Sequence, residues 1–372
     1  MNMARASFRQ TLDTSDSRPG ERIRNERMRR GWSQADLARR AGISRAAVSA
    51  IEIDRLTPSV SAALALAQCF GCAVEELFGS RGARGSVQWA WSPRGAKVRY
   101  WQAEVAGRIL SFPIEEPLAS ESAHDGVFAE GTDRCQPEES PARTLVVACC
   151  DPAAGLLASQ FGRATGMRMI VLGRSSAAAL KLLAEDRVHA AGIHLSAAGG
   201  RPGNARFVAR ELGKPAGLLR IARWEEGVAF RSQQEKSTSL QNLLRQRLQW
   251  VGREPGSGAE QCQKQLLGSR RLPRRVARDH RGVAEALRSG WADAGVCVRL
   301  ASEEAGLDFL SVRLEDYDLV FAKSLQDDPR IQALIRVARS AAYRRLLGDL
   351  PGYDVAQTGE LEWTGAAGSP SR

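Results

Sequence analysis

The chain has 372 residues, 43% of them apolar, and its 53 Lys and Arg against 42 Asp and Glu give a formal net charge of +11. The length predicts two or three domains, since one domain takes roughly 100–200 residues, and the charge favours a polyanionic partner without distinguishing DNA, RNA and membrane. Neither a signal peptide nor an apolar run long enough to span a membrane is found, so we expect a cytoplasmic protein with no membrane partner.

The chain begins with a polar, irregular stretch, residues 1–19, which is predicted to form a disordered arm. From residue 20 to residue 79, apolar residues recur with the helical period of about 3.6 in short segments. Four residues suited to turns separate these segments, namely Gly31, Gly42, Pro58 and Gly71. The pattern predicts an all-α domain of five short helices.

Two of these helices have the pattern of a helix-turn-helix unit. Ser33 is a suitable N-cap for a helix that starts at Gln34, and Gly42 supplies the left-handed turn after it. Ser44 caps a second helix. The faces that must pack together carry Leu37, Ala38, Ile43, Val48 and Ile51. The opposite face of the second helix is left free for contacts to bases.

The text RIRNERMRRGWSQADLARRAGISRAAVSAIEIDRLTPSVSAALALAQCFGCAVEELF, Arg22 to Phe78, resembles the Xre/Cro-type helix-turn-helix domain of lambdoid phage repressors. The resemblance implies a homodimer on a near-palindromic operator in double-stranded DNA. It implies DNA contacts by Gln34, Ser44, Arg45, Ala46, Ser49 and Arg55, with Gln34 on a phosphate and Arg45, Ala46 and Ser49 on base edges. It also implies a partly buried ion pair between Arg27 and Glu52.

The charge of this segment supports a DNA partner. Residues 18–55 carry ten Arg against five Asp and Glu, which concentrates positive charge where phosphate contacts are expected. The alternative is that these arginines form only the solvated face of an ordinary helical bundle. We favour DNA binding, because the match extends over a whole domain.

The seven cysteines are odd in number and scattered, which fits a reducing compartment better than a disulfide framework. Cys69 and Cys72 form a C-x-x-C, but no second pair or nearby His completes a zinc site. His189 and His194 lie five apart on an apolar strand and would point to opposite faces. We therefore expect neither a metal nor a cofactor.

Residues 80–142 change in character. The runs VQWAW, KVRYW and RILSFPI are typical of short strands, and a Glu/Ser/Pro-rich stretch follows them. We predict a small β-rich connector followed by a linker.

From residue 143 to residue 355, strand-like and helix-like runs alternate, which predicts a parallel sheet with helices on both faces. The first strand, Leu145 to Cys149, is nearly all apolar, as a strand covered on both sides should be. A last amphipathic helix is expected from about Asp328 to Leu347. Residues 356–372 are predicted to form a disordered tail.

Ligands of such sheets bind beyond the carboxyl ends of the strands, at the loops that lead into helices. Residues at these points are Asp151, Ser175, Ser176, His194, Glu254, Ser257 and Gly258. The serines and free backbone N–H groups at helix starts suit an anion. Each of these residues has an alternative role, since Asp151 and Ser176 could simply cap helices and the Gly-rich stretch could be only a tight turn.

The α/β segment resembles the periplasmic-binding-protein superfamily, in the branch that is fused to helix-turn-helix domains and is similar to molybdate-binding proteins. The resemblance is carried by CDPAAGLLASQF, RSSAAALKLLAEDRVHAAGIHL, REPGSGAE, GVAEALRSGWADAGV and LDFLSVRLEDYDLVF. It implies a two-lobed α/β domain with an interlobe cleft. In molybdate-binding relatives neutral donors hold the oxyanion, which implies roles for Ser175 or Ser176, the Val296 region and Tyr317. The carboxylate of Asp151 fits an oxyanion badly.

The sequence therefore predicts a multidomain protein: an all-α helix-turn-helix domain, a small β-rich connector and a two-lobed α/β domain. We expect a ligand-responsive transcription regulator, not an enzyme, with molybdate or tungstate as the favoured effector. Two alternatives stay open. The cleft could serve an enzyme with Asp151, His194, His280 and Glu254 as acid/base candidates, or the α/β domain could be vestigial and bind nothing.

Overall fold

The computed structural model describes residues 19–72, 74–78, 87–115, 123–129, 132–137, 139–195, 203–231, 239–268 and 273–365. The chain divides into two compact units, Met1–Gln88 and Trp89–Arg372. The predicted arm lies outside the described residues up to residue 18, and so do residues 366–372 of the predicted tail.

The first unit is helical, as predicted. Its helices are α1 (Pro19–Arg29), α2 (Gln34–Ala41), α3 (Arg45–Glu52), α4 (Val60–Phe70) and α5 (Val74–Phe78). Their buried core includes Ile23, Leu37, Val48, Ile51 and Leu66. The apolar positions expected to face each other across the turn are thus buried, apart from the partly buried Ile43.

Local signals set the boundaries of α2 and α3. The Ser33 hydroxyl accepts a hydrogen bond from the backbone N–H of Asp36, and the Asp36 carboxylate accepts one from the Ser33 N–H. Gly42 ends α2 with φ 63°, a left-handed conformation that glycine adopts without strain. The Ser44 hydroxyl accepts from the Ala47 N–H and starts α3. These caps are those that the sequence predicts.

The second unit begins with a small antiparallel sheet. Its strands are β1 (Lys97–Val105), β2 (Arg108–Pro113), β3 (Gly126–Ala129) and β4 (Thr132–Cys135), in the order β2-β1-β3-β4. The apolar face of β1 and β2 shares a buried core with the larger sheet that follows, through residues such as Ala103, Phe112, Val146 and Ile170. The stretch predicted as a linker contains β3 and β4.

The larger sheet is mixed in direction. Its strands are β5 (Thr144–Cys149), β6 (Arg168–Gly173), β7 (Ala190–Ile193), β8 (Ala216–Phe230), β9 (Trp250–Arg253), β10 (Val276–Ala277), β11 (Ala294–Val298), β12 (Asp308–Ala322), β13 (Tyr353–Asp354) and β14 (Leu361–Trp363). The main order is β10-β9-β11-β8-β12-β7-β5-β6. Parallel strands β5 to β7 form one lobe and parallel strands β9 to β11 the other.

Two long strands, β8 and β12, join the lobes and run antiparallel to each other and to their neighbours. The prediction of a wholly parallel sheet is wrong for these two strands. A central strand is covered on both faces whichever way it runs, so its apolar composition does not reveal its direction.

The helices of the second unit lie between these strands. They are α6 (Ala154–Thr165), α7 (Ser176–Ala184), α8 (Gly203–Leu212), α9 (Leu240–Arg245), α10 (Gly258–Leu267), α11 (His280–Arg288), α12 (Arg299–Glu304), α13 (Pro329–Arg339) and α14 (Ala341–Gly348). The single helix expected near the C-terminus is two helices, because Ser340 is extended, ends α13 and caps α14 through its hydroxyl.

The predicted disordered tail is ordered in its described part. Leu361 to Trp363 form β14, which pairs with β8, and the Trp363 ring meets Phe321 edge to face at 5.7 Å. The polar and Gly-rich composition of residues 356–372 suggested disorder, but the backbone of β14 pairs with β8, and the buried Thr364 hydroxyl accepts from the Ala216 N–H at 3.0 Å.

Candidate functional site

The proposed recognition helix α3 presents its first turn to solvent. Arg45 and Ala46 are exposed, Ser49 is partly buried, and Arg55 is exposed just after the helix. The Ser44 hydroxyl is already the N-cap of α3. The structure therefore leaves the Arg45 guanidinium accessible on the surface where the sequence predicts base contacts.

An ion pair behind this surface joins the first three helices. Arg27 Nε and Nη2 donate to the two Glu52 carboxylate oxygens at 2.6 and 3.0 Å. The Glu52 side chain is 2% exposed, and Gln34 Nε2 also donates to it at 2.9 Å. The hydrogen bond between Arg27 and Glu52 raises the pKa of Arg27. Gln34, predicted to bind a phosphate, thus ties the start of α2 to the end of α3.

In the second unit, five of the predicted ligand residues surround one buried polar cluster, and four of them follow separate strands. They are Asp151 after β5, Ser176 after β6, His194 after β7, Gly258 after β9 and Tyr317 within β12. Gly258 of one lobe lies against His194 of the other, because a Cβ added there would be 2.2 Å from the His194 carbonyl oxygen. The lobes meet at this position with no room for a side chain.

The predicted serine donors are largely engaged within the protein. The Ser176 hydroxyl accepts from the His194 N–H at 3.2 Å. The Ser257 hydroxyl donates to the Glu254 carbonyl at 2.8 Å and accepts from the Glu260 N–H at 3.1 Å, which caps α10. Ser175 is 2% exposed and precedes α7 without a side-chain cap bond. Of the three hydroxyls, that of Ser257 caps a helix and that of Ser176 is engaged by the His194 backbone.

Glu254 is not part of the buried cluster. It lines an open cavity of about 1040 Å³ beside the small sheet, together with Arg94, Lys97, Arg174 and Arg278. Its backbone, rather than its carboxylate, supports the Ser257 cap.

Asp151 and Tyr317 occupy the first lobe's side of the cluster. One Asp151 oxygen accepts from the Ala153 N–H at 2.8 Å and from the Tyr353 hydroxyl at 2.6 Å. Burial raises the pKa of Asp151 to about 6, although both hydrogen bonds oppose the shift. Tyr317 stacks on Trp224 with ring centroids 4.4 Å apart. Asp151 thus accepts a hydrogen bond at the start of α6 and also lines the cluster.

The cluster contains a Cys–His–Glu arrangement that the sequence did not reveal. His194 Nε2 lies 3.0 Å from Cys150 Sγ, and its Nδ1 lies 2.7 Å from a Glu315 oxygen. Burial lowers the pKa of His194, but Cys150 and Glu315 together outweigh burial and hold it well above its usual value. Cys150 also lines a cavity of about 460 Å³ that opens beside α6.

His280 faces the same cluster from the second lobe, and its hydrogen bonds fix its tautomer. Its Nδ1 accepts from Arg253 Nη1 at 2.8 Å and from the Val298 N–H at 3.3 Å, so the proton lies on Nε2. Burial, then Arg253, keeps its pKa well below the usual value. Cys150, His194 and His280 place possible ligand atoms within 4.8 Å. With its proton on Nε2, His280 donates there and offers no lone pair to a metal.

The structure adds charged residues that the sequence analysis missed. Arg313 Nη2 lies 2.7 Å from a Glu226 oxygen and also contacts Glu315, and all three side chains are buried. Glu226 lies on β8, whereas Arg313 and Glu315 lie on β12. The only signal in the sequence is the presence of charges within two otherwise apolar runs. That signal does not indicate which face of the sheet these charged side chains occupy.

Residues 225–227 lie inside β8 and pair with β12, although two acidic residues and a glycine in a row are typical of turns. The charges are accommodated in the strand because Glu225 pairs with Arg299 and Glu226 with Arg313. Within the described residues, no helix is both long and apolar enough to cross a membrane.

Comparison with known proteins gives two family matches. Residues 23–77 match a helix-turn-helix family, and residues 158–339 match a PBP superfamily domain. A Bacillus subtilis (strain 168) relative, "Uncharacterized protein YvgK", is 22% identical over 276 residues, which cover 72% of this chain and 87% of that protein.

Solved structures resemble each unit separately. The P22 c2 repressor, solved in complex with a synthetic operator, is 31% identical and covers 17% of this chain and 97% of its own, with a TM-score of 0.17. The tungstate ABC transporter from Geobacter sulfurreducens is 15% identical and covers 55% of this chain and 98% of its own, with a TM-score of 0.43.

Proposed function

We propose that this chain, which joins a helix-turn-helix domain of the Xre/Cro type to a domain of the periplasmic-binding-protein superfamily, is a cytoplasmic transcription regulator that responds to a small ligand. One observation carries the proposal: a single chain combines an exposed α3 surface with a buried polar cluster where two lobes meet. Residues 20–79 are proposed to bind DNA and residues 143–355 to sense the ligand.

The proposed DNA target is a near-palindromic operator bound by a homodimer. One helix-turn-helix unit makes few base contacts, and dimers of such units place two recognition helices about 34 Å apart, one helical turn of DNA. Arg45 is the strongest candidate for reading a base, because an arginine fork matches the two acceptors of guanine. Ala46 can offer only apolar contact, such as with a thymine methyl.

The first effector to test is a tetrahedral oxyanion, molybdate or tungstate. The N-termini of α7 and α10, at Ser176 and Ser257, enter the buried cluster region and favour negative charge. Ser175, whose hydroxyl is not a cap, and Tyr317 are the proposed additional donors. His194 and Gly258 would form the wall where the lobes meet.

The test is operator binding by the full chain with and without ligand. Selection from a random duplex pool should give a near-palindrome, and gel-shift titration should give the affinity. A coupled ligand should change that affinity by roughly 5- to 150-fold, and operator DNA should change ligand affinity by the same factor. Failure to select any sequence, or an affinity equal on selected and random duplex, would refute the regulator proposal.

A second candidate function is acyl transfer or hydrolysis, favoured by the contact of Cys150 with His194 and of His194 with Glu315. A nucleophile, a base and a group that orients the base are the parts that covalent catalysis requires. The Cys150 sulfur would attack an acyl carbonyl carbon, His194 would take the thiol proton and return it to the leaving alcohol, and water would hydrolyse the thioester.

A turnover assay separates the two candidates. A regulator returns its ligand unchanged, whereas an enzyme consumes ester substrates and loses this activity in Cys150→Ala. Cys69→Ala is the matched control, because Cys69 lies in the helical unit. Hydrolysis that Cys150→Ala retains would eliminate the thiol mechanism.

A further inference from the structure

The open cavity beside the small sheet, about 1040 Å³ in volume, collects positive charge from separate parts of the second unit. Its basic lining side chains are Arg94, Lys97, Arg99, Arg174 and Arg278. The acidic ones are Glu115 and Glu254. Five basic against two acidic side chains give the lining a formal net charge of +3. We call it the basic cavity, and its charge favours a ligand with several negative charges.

The basic cavity is separate from the buried cluster, since Asp151, His194 and Tyr317 do not line it. Much of its wall belongs to the small sheet. Lys97 and Arg99 lie on the exposed face of β1, where every second side chain at the start of the strand is buried. The PBP superfamily match covers residues 158–339, and the small sheet precedes it. Three of the five cations therefore come from a part of the chain outside the matched binding domain.

The three cations near the small sheet have no partner of their own. Arg94, Lys97 and Arg99 are exposed and form no ion pair or side-chain hydrogen bond among the described residues. On a flat surface, water would solvate such charges separately. Here they line one concave space together with two more arginines, so each adds to the positive potential that a ligand meets there.

The other two arginines of the basic cavity meet at one carbonyl oxygen. Arg174 Nη1 donates to the Gly173 carbonyl at 2.8 Å, and Arg278 Nη2 donates to the same oxygen at 3.4 Å. Arg174 is held further by Glu115, whose oxygen lies 3.2 Å from Nη2, and by the Trp91 ring, 4.9 Å from its guanidinium carbon. Two guanidiniums, one after β6 and one after β10, are thus kept close together although like charges repel.

We infer that the basic cavity binds a small polyphosphate, either free or as the phosphate chain of a nucleotide. Phosphate oxygens are the acceptors that the Arg fork and the Lys ammonium pair with, and a chain of phosphates can contact several cations at once. The volume is at the upper end of the range for small-molecule sites, roughly 300–1,000 Å³, so it suits a molecule larger than a single ion. The inference goes beyond the proposed function, because it adds a second ligand.

Titration calorimetry on the full chain, at low salt and without magnesium, tests the inference with tripolyphosphate and ATP. Orthophosphate and adenosine are the controls, since the first lacks the chain and the second lacks phosphate. Tripolyphosphate and ATP should bind roughly 10-fold more tightly than orthophosphate, because more charge-assisted contacts form, and adenosine should give no heat. Added sodium chloride should weaken binding, since exposed charges are screened.

Variants assign the binding to the basic cavity. Lys97→Gln/Arg99→Gln should weaken tripolyphosphate about 10-fold, because it removes two charge-assisted contacts. Both side chains are exposed, so the melting temperature without ligand should stay unchanged. Arg336→Gln/Arg344→Gln is the matched control, because it removes the same charge from exposed positions on α13 and α14 that do not line the cavity.

Glu254→Gln provides a test with the opposite sign. It removes a carboxylate that repels an anion in the basic cavity, so tripolyphosphate should bind more tightly than to the wild type. The backbone carbonyl of Glu254, which accepts from the Ser257 hydroxyl, is retained. A gain in affinity separates an electrostatic effect from damage to the fold, which would weaken binding.

Equal affinity for tripolyphosphate and ATP would mean that the phosphate chain alone is recognised, and tighter ATP binding would mean a nucleotide; both support the site. Four results overturn it: neither probe binds, Lys97→Gln/Arg99→Gln binds as the wild type does, Glu254→Gln weakens binding, or Arg45→Gln/Arg55→Gln of the helical unit weakens it as much. If Lys97→Gln/Arg99→Gln weakens only duplex DNA, the surface binds a DNA backbone and the inference is wrong. The regulator proposal is judged separately, by selection of an operator.

Discussion

The helical unit and the α/β unit place arginines in opposite surroundings. Arg45 and Arg55 of the helical unit are exposed, where water solvates a guanidinium without a partner. Arg253 of the α/β unit is 2% exposed and has two donor atoms without a partner in the described residues. Exposure costs the fold little, whereas burial makes the stability of the unit depend on what pairs with the charge.

This difference matches the size of the two proposed partners. A DNA backbone is a large polyanion that contacts a surface, so the charges that meet it must be accessible. A small effector is enclosed between lobes, and its contacts gain strength because water is excluded.

The largest expected effect concerns the buried charge of the helical unit. Glu52→Ala leaves Arg27 without its carboxylate and Gln34 without its acceptor, so we expect the unfolding free energy of this unit to fall by about 3–5 kcal/mol. Denaturant unfolding followed by circular dichroism measures it. The double variant Arg27→Met/Glu52→Leu should recover much of the loss, because it removes both charges. If Glu52→Ala melts at the same temperature as the wild type, the stability of the helical unit does not depend on the pairing of the Arg27 charge.

A pH dependence of similar size is expected for Asp151. Its pKa is raised from 3.8 to about 6 by burial, so the folded state holds the proton more tightly than the unfolded state. The stabilisation is complete below pH 4 and is lost as the pH rises to 6. The loss should amount to about 3 kcal/mol, at roughly 1.4 kcal/mol per pH unit.

Asp151→Asn isolates this effect. Asparagine keeps an oxygen to accept from Ala153 and Tyr353 but does not titrate. The difference in unfolding free energy between variant and wild type should therefore grow in the variant's favour between pH 4 and 6, and level off above. A difference that is constant with pH would mean that the carboxylate is solvated in the native state, contrary to its burial.

An intermediate effect is expected for operator recognition by the exposed arginine. Arg45→Ala should cost about 1–3 kcal/mol on the operator and relax the preference at one base pair, with little change on random duplex. Competition gel shifts with single-base operator variants measure both. Gln34→Ala should weaken all duplexes alike, because its proposed contact is to phosphate. An equal loss on operator and random DNA for Arg45→Ala would show that this arginine does not read bases.

The helical unit was predicted almost completely because its signals are local. Ser33, Gly42 and Ser44 each act on residues within one turn, so the chain order alone places the ends of α2 and α3. The resemblance to phage repressors supplied the long-range contact that was predicted, between Arg27 and Glu52. The α/β unit was predicted as a fold class, with its first strand and the helices after it near their observed positions.

The buried cluster could not be predicted in the same way. Asp151, Ser176 and His194 were found because each follows a strand, a rule that needs no knowledge of the partner strand. Arg253, Glu226 and Glu315 were missed, because their role depends on how β8 and β12 cross between the lobes. Whether a charge inside a strand is paired or unpaired is set by residues far away in sequence, such as Arg313 for Glu226.

The smallest expected effect tests whether the caps of α2 and α3 act independently of each other. Ser33→Ala removes the acceptor for the Asp36 N–H, and loss of such a cap costs about 0.5–2 kcal/mol. The Ser33 hydroxyl also donates to the Asp36 carboxylate and is the largest cause of its lowered pKa, so that pKa should rise towards its usual value, as NMR titration would show. Ser44→Ala is the control: it removes a cap of the same kind on α3 and should leave the Asp36 titration unchanged.

Because the two caps share no partner, their losses in unfolding free energy should add in the double variant. A loss in the double variant that differs from the sum by more than about 0.5 kcal/mol would show that the caps are coupled through α2 and α3. The ends of these helices would then not be set by local signals alone.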